Sequence, residues 1–205
     1  DGRRVHIIRN FEHSMKCTYA EKQSFVEFNS LIYRRPNKPA EKKYDAIYWG
    51  RWRPGREKYF REYLRDGIHL STSAKNMKQF LRAGCNPTLI TSMAWTPFRE
   101  SLNSFRYSIY AEDEFTHTHY NGLANRFFEA LFCNVVQFFD RSCRETVQKS
   151  GVPFEEDWYV DGIEDLRSKI AESKYDERMN RQSALNAWAA AQRLSAIEKL
   201  REIVI

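Results

Sequence analysis

The chain has 205 residues, 42% hydrophobic, 15% aromatic and 29% charged, with 33 Lys/Arg against 27 Asp/Glu for a formal charge of +6. That length accommodates one ordinary domain with a real core, and the apolar content excludes a disordered chain. No apolar run approaches the ~20 residues that cross a bilayer, so we expect no membrane span, and cysteines read as reduced thiols give the expectation of a cytoplasmic location.

The charge is uneven. Residues 1–66 carry sixteen Lys/Arg against nine Asp/Glu, and the rest of the chain carries a slight acidic excess. A basic first third suits an anionic partner such as a phosphate, a nucleotide or nucleic acid, unless it is only a solvated face. The opening Asp1-Gly2-Arg3-Arg4 has neither Met nor an apolar leader, and reads as a chain that lacks upstream sequence. The four cysteines, at 17, 85, 133 and 143, form no Cys-x-x-Cys pair, which argues for reduced thiols over a structural zinc site.

Residues 1–43 give mixed signals. Val5–Ile8 suggests a short strand, Phe25–Tyr33 fits strand or helix, and Arg34-Arg35-Pro36-Asn37-Lys38-Pro39 reads as a linker. This stretch is expected to be a linker or the remnant of a first domain, with the main domain spanning 44–205. From Tyr44 the rhythm is regular. Strands are expected at 44–49, 68–72, 87–91, 106–110 and 135–139, with an edge strand at 158–160. Between them fall helices at 56–64, at 74–82 with Ser73 as N-cap and Gly84 as stop, and at 123–132 before a break at Asn134. Shorter turns of helix are expected at 97–105 and 146–151, and a polar loop at 112–122. A helix at 163–172 follows, then a long one at 175–204 that lacks Gly and Pro. Its apolar positions Leu185, Trp188, Ala189, Leu194, Ile197 and Leu200 suit packing along a groove.

Strands alternating with helices predict a Rossmann-like α/β fold: an open, mostly parallel sheet with helices on both faces and a long C-terminal helix. Ligands of such sheets bind beyond the carboxyl ends of the strands. After the 44–49 strand comes Gly50-Arg51-Trp52-Arg53-Pro54-Gly55-Arg56, three arginines in six residues ahead of a helix. Guanidiniums grip phosphate bidentately, a helix N-terminus favours anions, and the glycines permit close backbone approach. The second candidate is Thr116–Leu131. There the amides of Gly122, Leu123 and Ala124 could face an anion after the Asn121-Gly122 turn, and Glu129 is the lone acid of an apolar helix. A buried carboxylate needs a partner. Either a ribose diol or Arg126, one turn back, would supply it.

Gly-Arg after a first Rossmann strand resembles the C-terminal, nucleotide-sugar-binding half of GT-B glycosyltransferases. So do the stretch Asn121-Gly122-Leu123-Ala124-Asn125-Arg126-Phe127-Phe128-Glu129-Ala130-Leu131, the following Asn134-Val135-Val136 and the long terminal helix. The likeness covers roughly 44–205 and is nearest to phage-type and spore-coat-type members, DNA-modifying glucosyltransferases included. It implies a nucleoside-diphosphate sugar donor such as UDP-glucose and hexosyl transfer to an acceptor, with a modified DNA base as the narrower expectation. Arg51 with Arg53 or Arg56 would hold the pyrophosphate, aided by the Gly122–Ala124 amides. Asn125 and Arg126 would line the phosphate or sugar side, and Glu129 would bind ribose. The loop after Tyr110 would meet the base, and His117 or His119 the sugar or a leaving phosphate oxygen. No cofactor is implied, since arginines and helix dipoles replace a metal. Two departures stand out. Many retaining members carry two Glu separated by seven residues, and here the first is Asn121. A complete GT-B enzyme has two Rossmann halves, and 205 residues hold about one, so a first, N-terminal domain is expected to be missing.

Two other readings stay open. Glu112, Asp113, Glu114, His117 and His119 could form a metal site, with the two histidines on one side of a strand. Alternatively, the chain is a non-catalytic nucleotide or nucleic-acid binding module on a doubly wound fold, in which Tyr33, Tyr48, Trp49 and Trp52 stack bases and Arg34 and Arg35 neutralise phosphates.

Overall fold

The computed structural model describes residues 6–9, 22–90, 98–119 and 122–204. In chain order the elements are β1 (His6–Arg9), β2 (Lys22–Phe25), β3 (Tyr44–Trp49), α1 (Glu57–Tyr63), β4 (Ile68–Ser71), α2 (Ala74–Arg82), β5 (Thr88–Ile90) and α3 (Phe98–Asn103). They continue as β6 (Phe105–Tyr110), α4 (Glu114–His119), α5 (Asn125–Phe132), β7 (Val136–Asp140), α6 (Arg144–Lys149), β8 (Tyr159–Val160), α7 (Ile163–Glu172) and α8 (Tyr175–Val204). Strands β3 to β8 form one parallel sheet of order β5-β4-β3-β6-β7-β8, and β1 pairs with β2, also parallel, in a separate small sheet. The edges of the large sheet are short, three residues in β5 and two in β8.

A parallel sheet is covered on both faces, so its strands read as unbroken apolar runs. Ala46–Trp49 and Val135–Phe139 are buried throughout. Alternate β3 side chains serve opposite faces. Tyr48 meets Phe60 of α1 and Phe80 of α2, with ring centroids 5.3 and 6.4 Å away, while the Trp49 indole reaches α5. Phe139 of β7 packs on Phe127 of α5, and Trp188 of α8 covers Phe127 and Phe128. Leu185, Ala189 and Ala196 of α8 are buried, and Leu194, expected in the groove, is 58% exposed.

The expected element pattern is present, with one correction. Residues 114–119 form helix α4, not part of a polar loop or a strand. The 34–39 linker is tied to the domain: the Asn37 amide donates to the Phe132 carbonyl (2.9 Å), and Asn134 Nδ2 donates to the Asn37 carbonyl (2.9 Å). Asn134 sits at φ 54°, in the left-handed region that Asn tolerates and that ends a helix. Cys85, Cys133 and Cys143 are buried free thiols, and Cys17 lies outside the described residues. No helix among the described residues is long and apolar enough to cross a membrane.

Lys42 fastens the linker to the sheet. Its ammonium donates to the backbone carbonyls of Asn103 (2.7 Å), Phe105 (2.9 Å) and Asn134 (2.8 Å). Lys42→Met strands those acceptors, so we expect a loss of about 2 kcal/mol in urea-induced unfolding.

The turn of 3-10 helix at Phe28–Ile32 packs on α5 and α8, and the Tyr33 hydroxyl donates to Asn186 Oδ1 (3.2 Å). Burial pushes the Glu27 carboxyl beside it from 4.5 to about 7, against the Asn29 amide that donates to it. The folded state keeps a proton that the unfolded chain releases. This contribution is therefore complete below about pH 4.5 and lost as the pH rises through about 7. Across that window stability should fall more steeply for the native sequence than for Glu27→Gln, read as the difference between their urea midpoints.

Candidate functional site

Strand order reverses between β3, which leads outward to β4 and β5, and β6, which leads to β7 and β8. At such a switch point the two following loops diverge and leave a crevice. Here the first is 50–56, and the second connection runs through 111–113, α4 and, among the described residues, 122–124. The first is pinned at three places. Thr72 Oγ1 donates to the Gly50 carbonyl (2.6 Å), the Trp52 amide donates to Asn76 Oδ1 (3.1 Å), and the Trp52 ring stands against Phe80 at 5.2 Å. Arg51 and Arg53, on either side of Trp52, remain exposed.

Under this loop lies a buried charge network. Glu112, with no solvent exposure, takes Arg126 Nη2 on Oε1 (2.5 Å) and Arg56 Nη2 on Oε2. Arg56 Nε also donates to Asp113 Oδ2 (3.0 Å). Burial opposes the charge on Arg126, but Tyr48, Glu112, Tyr110 and Glu129 around it outweigh that and hold the guanidinium above its ordinary value. Tyr48 accepts from its Nη1 (2.8 Å), and the Tyr48 and Tyr110 rings lie 5.2 and 5.4 Å from it, within cation–π range. Burial would also raise Asp113, yet the Thr116 amide and hydroxyl, together with Arg56, keep it below the usual carboxylate range.

A cavity of about 310 Å³ opens onto this network, lined by Asn29, Arg51, Arg53, Arg56, Glu112, Ala124, Asn125 and Arg126. The fold thus gathers five sequence-expected residues: Arg51, Arg53, Arg56, Asn125 and Arg126. Arg56 and Arg126 are already neutralised by Glu112 and Asp113. Arg51 and Arg53 make no ion pair with a described residue and supply the cavity's uncompensated charge. The N-terminus of α5, with Asn125 as its first residue, opens into the same space and adds its partial positive charge.

Several expectations need correcting. The glycines make room for the network: a Cβ on Gly50 would come within 3.2 Å of Arg126 Nη1 and 3.3 Å of the Tyr48 hydroxyl, and one on Gly55 within 3.1 Å of Asp113 Cβ. The Ala124 amide, expected in an anion cradle, donates to the Tyr110 hydroxyl (2.8 Å), and the Leu123 carbonyl takes Asn29 Nδ2 (2.8 Å). Gly122 and Leu123 are buried. Arg126 pairs with Glu112, not with Glu129. Glu129 instead accepts from the Trp49 indole on Oε2 (2.7 Å), and burial raises its carboxyl against that bond and the nearby Arg126.

The metal reading loses its donors to other partners. Glu112 and Asp113 are held by arginines, and His117 Nδ1 contacts Thr146 Oγ1 (2.7 Å). Both His117 and His119 lie on a helix, not a strand. Among the described residues no cluster of three or more His, Cys, Asp or Glu side chains is placed to hold a metal. The side chain of His119 and all of Asn121 lie outside the described residues.

Sequence reasoning missed Asn29, the contacts of Tyr48 and Tyr110 with Arg126, and the bridging role of Glu112. Glu112→Gln leaves two buried guanidiniums without their shared counter-ion, and we expect a loss on the order of 3–5 kcal/mol in the urea-unfolding free energy. Gly50→Ala should destabilise less. It adds a methyl beside Arg126 at a φ of +149°, rarely adopted by side-chain-bearing residues.

The sequence matches no protein-family model and no curated protein. Among solved structures, T4 phage BGT in complex with UDP and Mn2+ matches with a TM-score of 0.71 at 16% identity, over 91% of this chain and 56% of that one. A T4 phage β-glucosyltransferase structure addressing substrate binding matches with a TM-score of 0.71 at 19% identity, over 90% of this chain and 58% of that one. The DNA modifying enzyme β-glucosyltransferase, in the presence and absence of uridine diphosphoglucose, matches with a TM-score of 0.70 at 19% identity, over 90% and 59%. The chain therefore spans somewhat more than half the length of these structures. The chain thus has a Rossmann-like fold shared with T4 phage β-glucosyltransferase.

Proposed function

We propose that this chain is the nucleotide-sugar-binding half of a GT-B glycosyltransferase that moves a hexosyl group from a nucleoside diphosphate to an acceptor on DNA. One observation carries the reading: an arginine-lined cleft at the switch point of a parallel sheet, with two uncompensated guanidiniums and a helix N-terminus facing one space. A diphosphate leaving group builds negative charge as the glycosidic bond breaks, and fixed positive groups stabilise that charge without reorganising. Arg51 and Arg53 take the phosphates. Arg126 and Arg56, held by Glu112 and Asp113, form a rigid floor beneath them. Asn125 and Asn29 line the same space toward the sugar.

Glu129 is our ribose contact. Trp49 occupies its Oε2, and Oε1 accepts no hydrogen bond from a described residue. The likeness to T4 phage β-glucosyltransferase, described with UDP-glucose as its substrate, supports uridine diphosphate as the first nucleotide to try. We assign the acceptor-binding half to a second Rossmann unit, to which the separate parallel pair β1–β2 would belong. The buried free thiols Cys85, Cys133 and Cys143 suit a reducing compartment such as the cytoplasm.

The test is a thermal-shift titration with uridine diphosphate and UDP-glucose. At a ligand concentration of 100 times Kd the fold should gain about 2.7 kcal/mol. Arg51→Ala should remove most of that gain while leaving the unliganded melting temperature within a degree or two. An Arg51→Ala protein that keeps the full shift overturns the phosphate grip, and a native chain that responds to no nucleoside diphosphate overturns the donor site.

A further inference from the structure

The basic character of the first third extends past the cleft to the β4–α2–β5 edge of the sheet. From Gly67 to Arg99 the sequence contains no Asp or Glu, and in this stretch α2 contributes Lys75, Lys78 and Arg82. All three are exposed, and with Ala74 and Gln79 they line a surface concavity of about 410 Å³. None of them forms an ion pair with a described residue.

The neighbouring helices show what an ordinary solvated face looks like in this protein. Arg61 pairs with Glu57 on α1, Lys149 with Glu145 on α6 and Arg167 with Glu164 on α7. Such pairs at three- or four-residue spacing keep an exposed helix surface mixed in sign. Among the described α-helices, α2 alone carries no carboxylate.

This stripe is held rigidly and joined to the cleft. Phe80, fully buried, anchors α2 against Trp52 (5.2 Å) and Phe60 (4.8 Å). Asn76 Oδ1 accepts from the Trp52 amide, which seats the loop bearing Arg51 and Arg53 on the first turn of α2. This contact places the exposed Arg51 and Arg53 on the loop that abuts the helix carrying Lys75, Lys78 and Arg82. Lys75 to Arg82 spans about 10 Å of helix axis, a length over which a duplex presents about six phosphates. Gln79, between the cations, adds an amide that can donate to phosphate oxygens.

We infer that the exposed face of α2, through Lys75, Lys78 and Arg82, is a docking surface for the phosphate backbone of double-stranded DNA, separate from the donor cleft. The choice of DNA rests on the acceptor proposed above, and the surface itself rests on the single-sign charge and the concavity. These residues position the duplex and touch no donor atom, so they contribute affinity and salt dependence without sequence preference.

The experiment measures fluorescence anisotropy of a labelled 20-base-pair DNA duplex of arbitrary sequence with the full 205-residue chain, between 50 and 200 mM salt. The chain should bind the duplex. The triple variant Lys75→Gln, Lys78→Gln, Arg82→Gln should bind at least tenfold more weakly at 100 mM salt. Its slope of log affinity against log salt should be shallower by about 2–3, near 0.9 per lost phosphate contact. The uridine diphosphate thermal shift of the triple variant should equal that of the native chain, which shows the variant folded and its cleft intact. A triple variant with native affinity and slope overturns the surface, as does a native chain that ignores the duplex. So does a variant that loses only an RNA duplex and keeps DNA. If the native chain shows no nucleotide shift yet the variant still loses DNA, the donor reading fails and this surface stands.

Discussion

The cleft depends on one carboxylate. Glu112, buried between the guanidiniums of Arg56 and Arg126, ties the segment after β6 to the start of α1 and to the first turn of α5. Buried like charges repel strongly in a poorly polarisable interior, and an interposed anion turns that repulsion into a clamp. The clamp consumes the charge of the two inner arginines. Anion attraction is left to Arg51 and Arg53, which sit on a loop whose backbone is fixed from below. The buried, neutralised pair thus lies beneath an exposed pair that makes no ion pair with a described residue.

Topology makes the clamp feasible. The reversal of strand order separates the loops after β3 and β6 and leaves a crevice with walls from both halves of the sheet. Gly50 and Gly55 close the gap between those walls, because each lacks the Cβ that would strike the opposite side. The 3-10 turn at Phe28–Ile32 then adds Asn29 from a third direction, carried by its packing on α5 and α8.

The layout of elements was legible in the sequence because each rests on local chemistry. Ala46–Trp49 is continuously apolar, Ser73 caps α2 by accepting from the Asn76 amide, and Asn134 breaks the chain after α5. The exposed arginines were legible too, since guanidiniums after a parallel strand have few other uses. The carboxylates were not. Glu112 and Asp113 stand in an acidic run that resembles a solvated loop or a metal site, and their arginine partners lie far off in sequence. Arg126 and Glu129, one turn apart, invite pairing, yet Tyr48 and Glu112 claim the arginine, and the Trp49 indole reaches the glutamate first. Asn29 left no signal, because packing on the distant α5 and α8 and a bond to the Leu123 carbonyl bring it to the cleft. The short helix α4 was masked by its threonines and histidines, which are poor helix formers on their own.

The brevity of β5 and β8 has a consequence for behaviour in concentrated solution. An open sheet ends in rows of unsatisfied amides and carbonyls that can recruit another chain. With three described residues in β5 and two in β8, the described borders offer little template. The second border is further occupied by α1: the Gly162 amide donates to the Tyr63 hydroxyl, and the Ile163 amide to Glu62. At the β8 border, short strand length and these bonds to α1 together limit lateral strand addition.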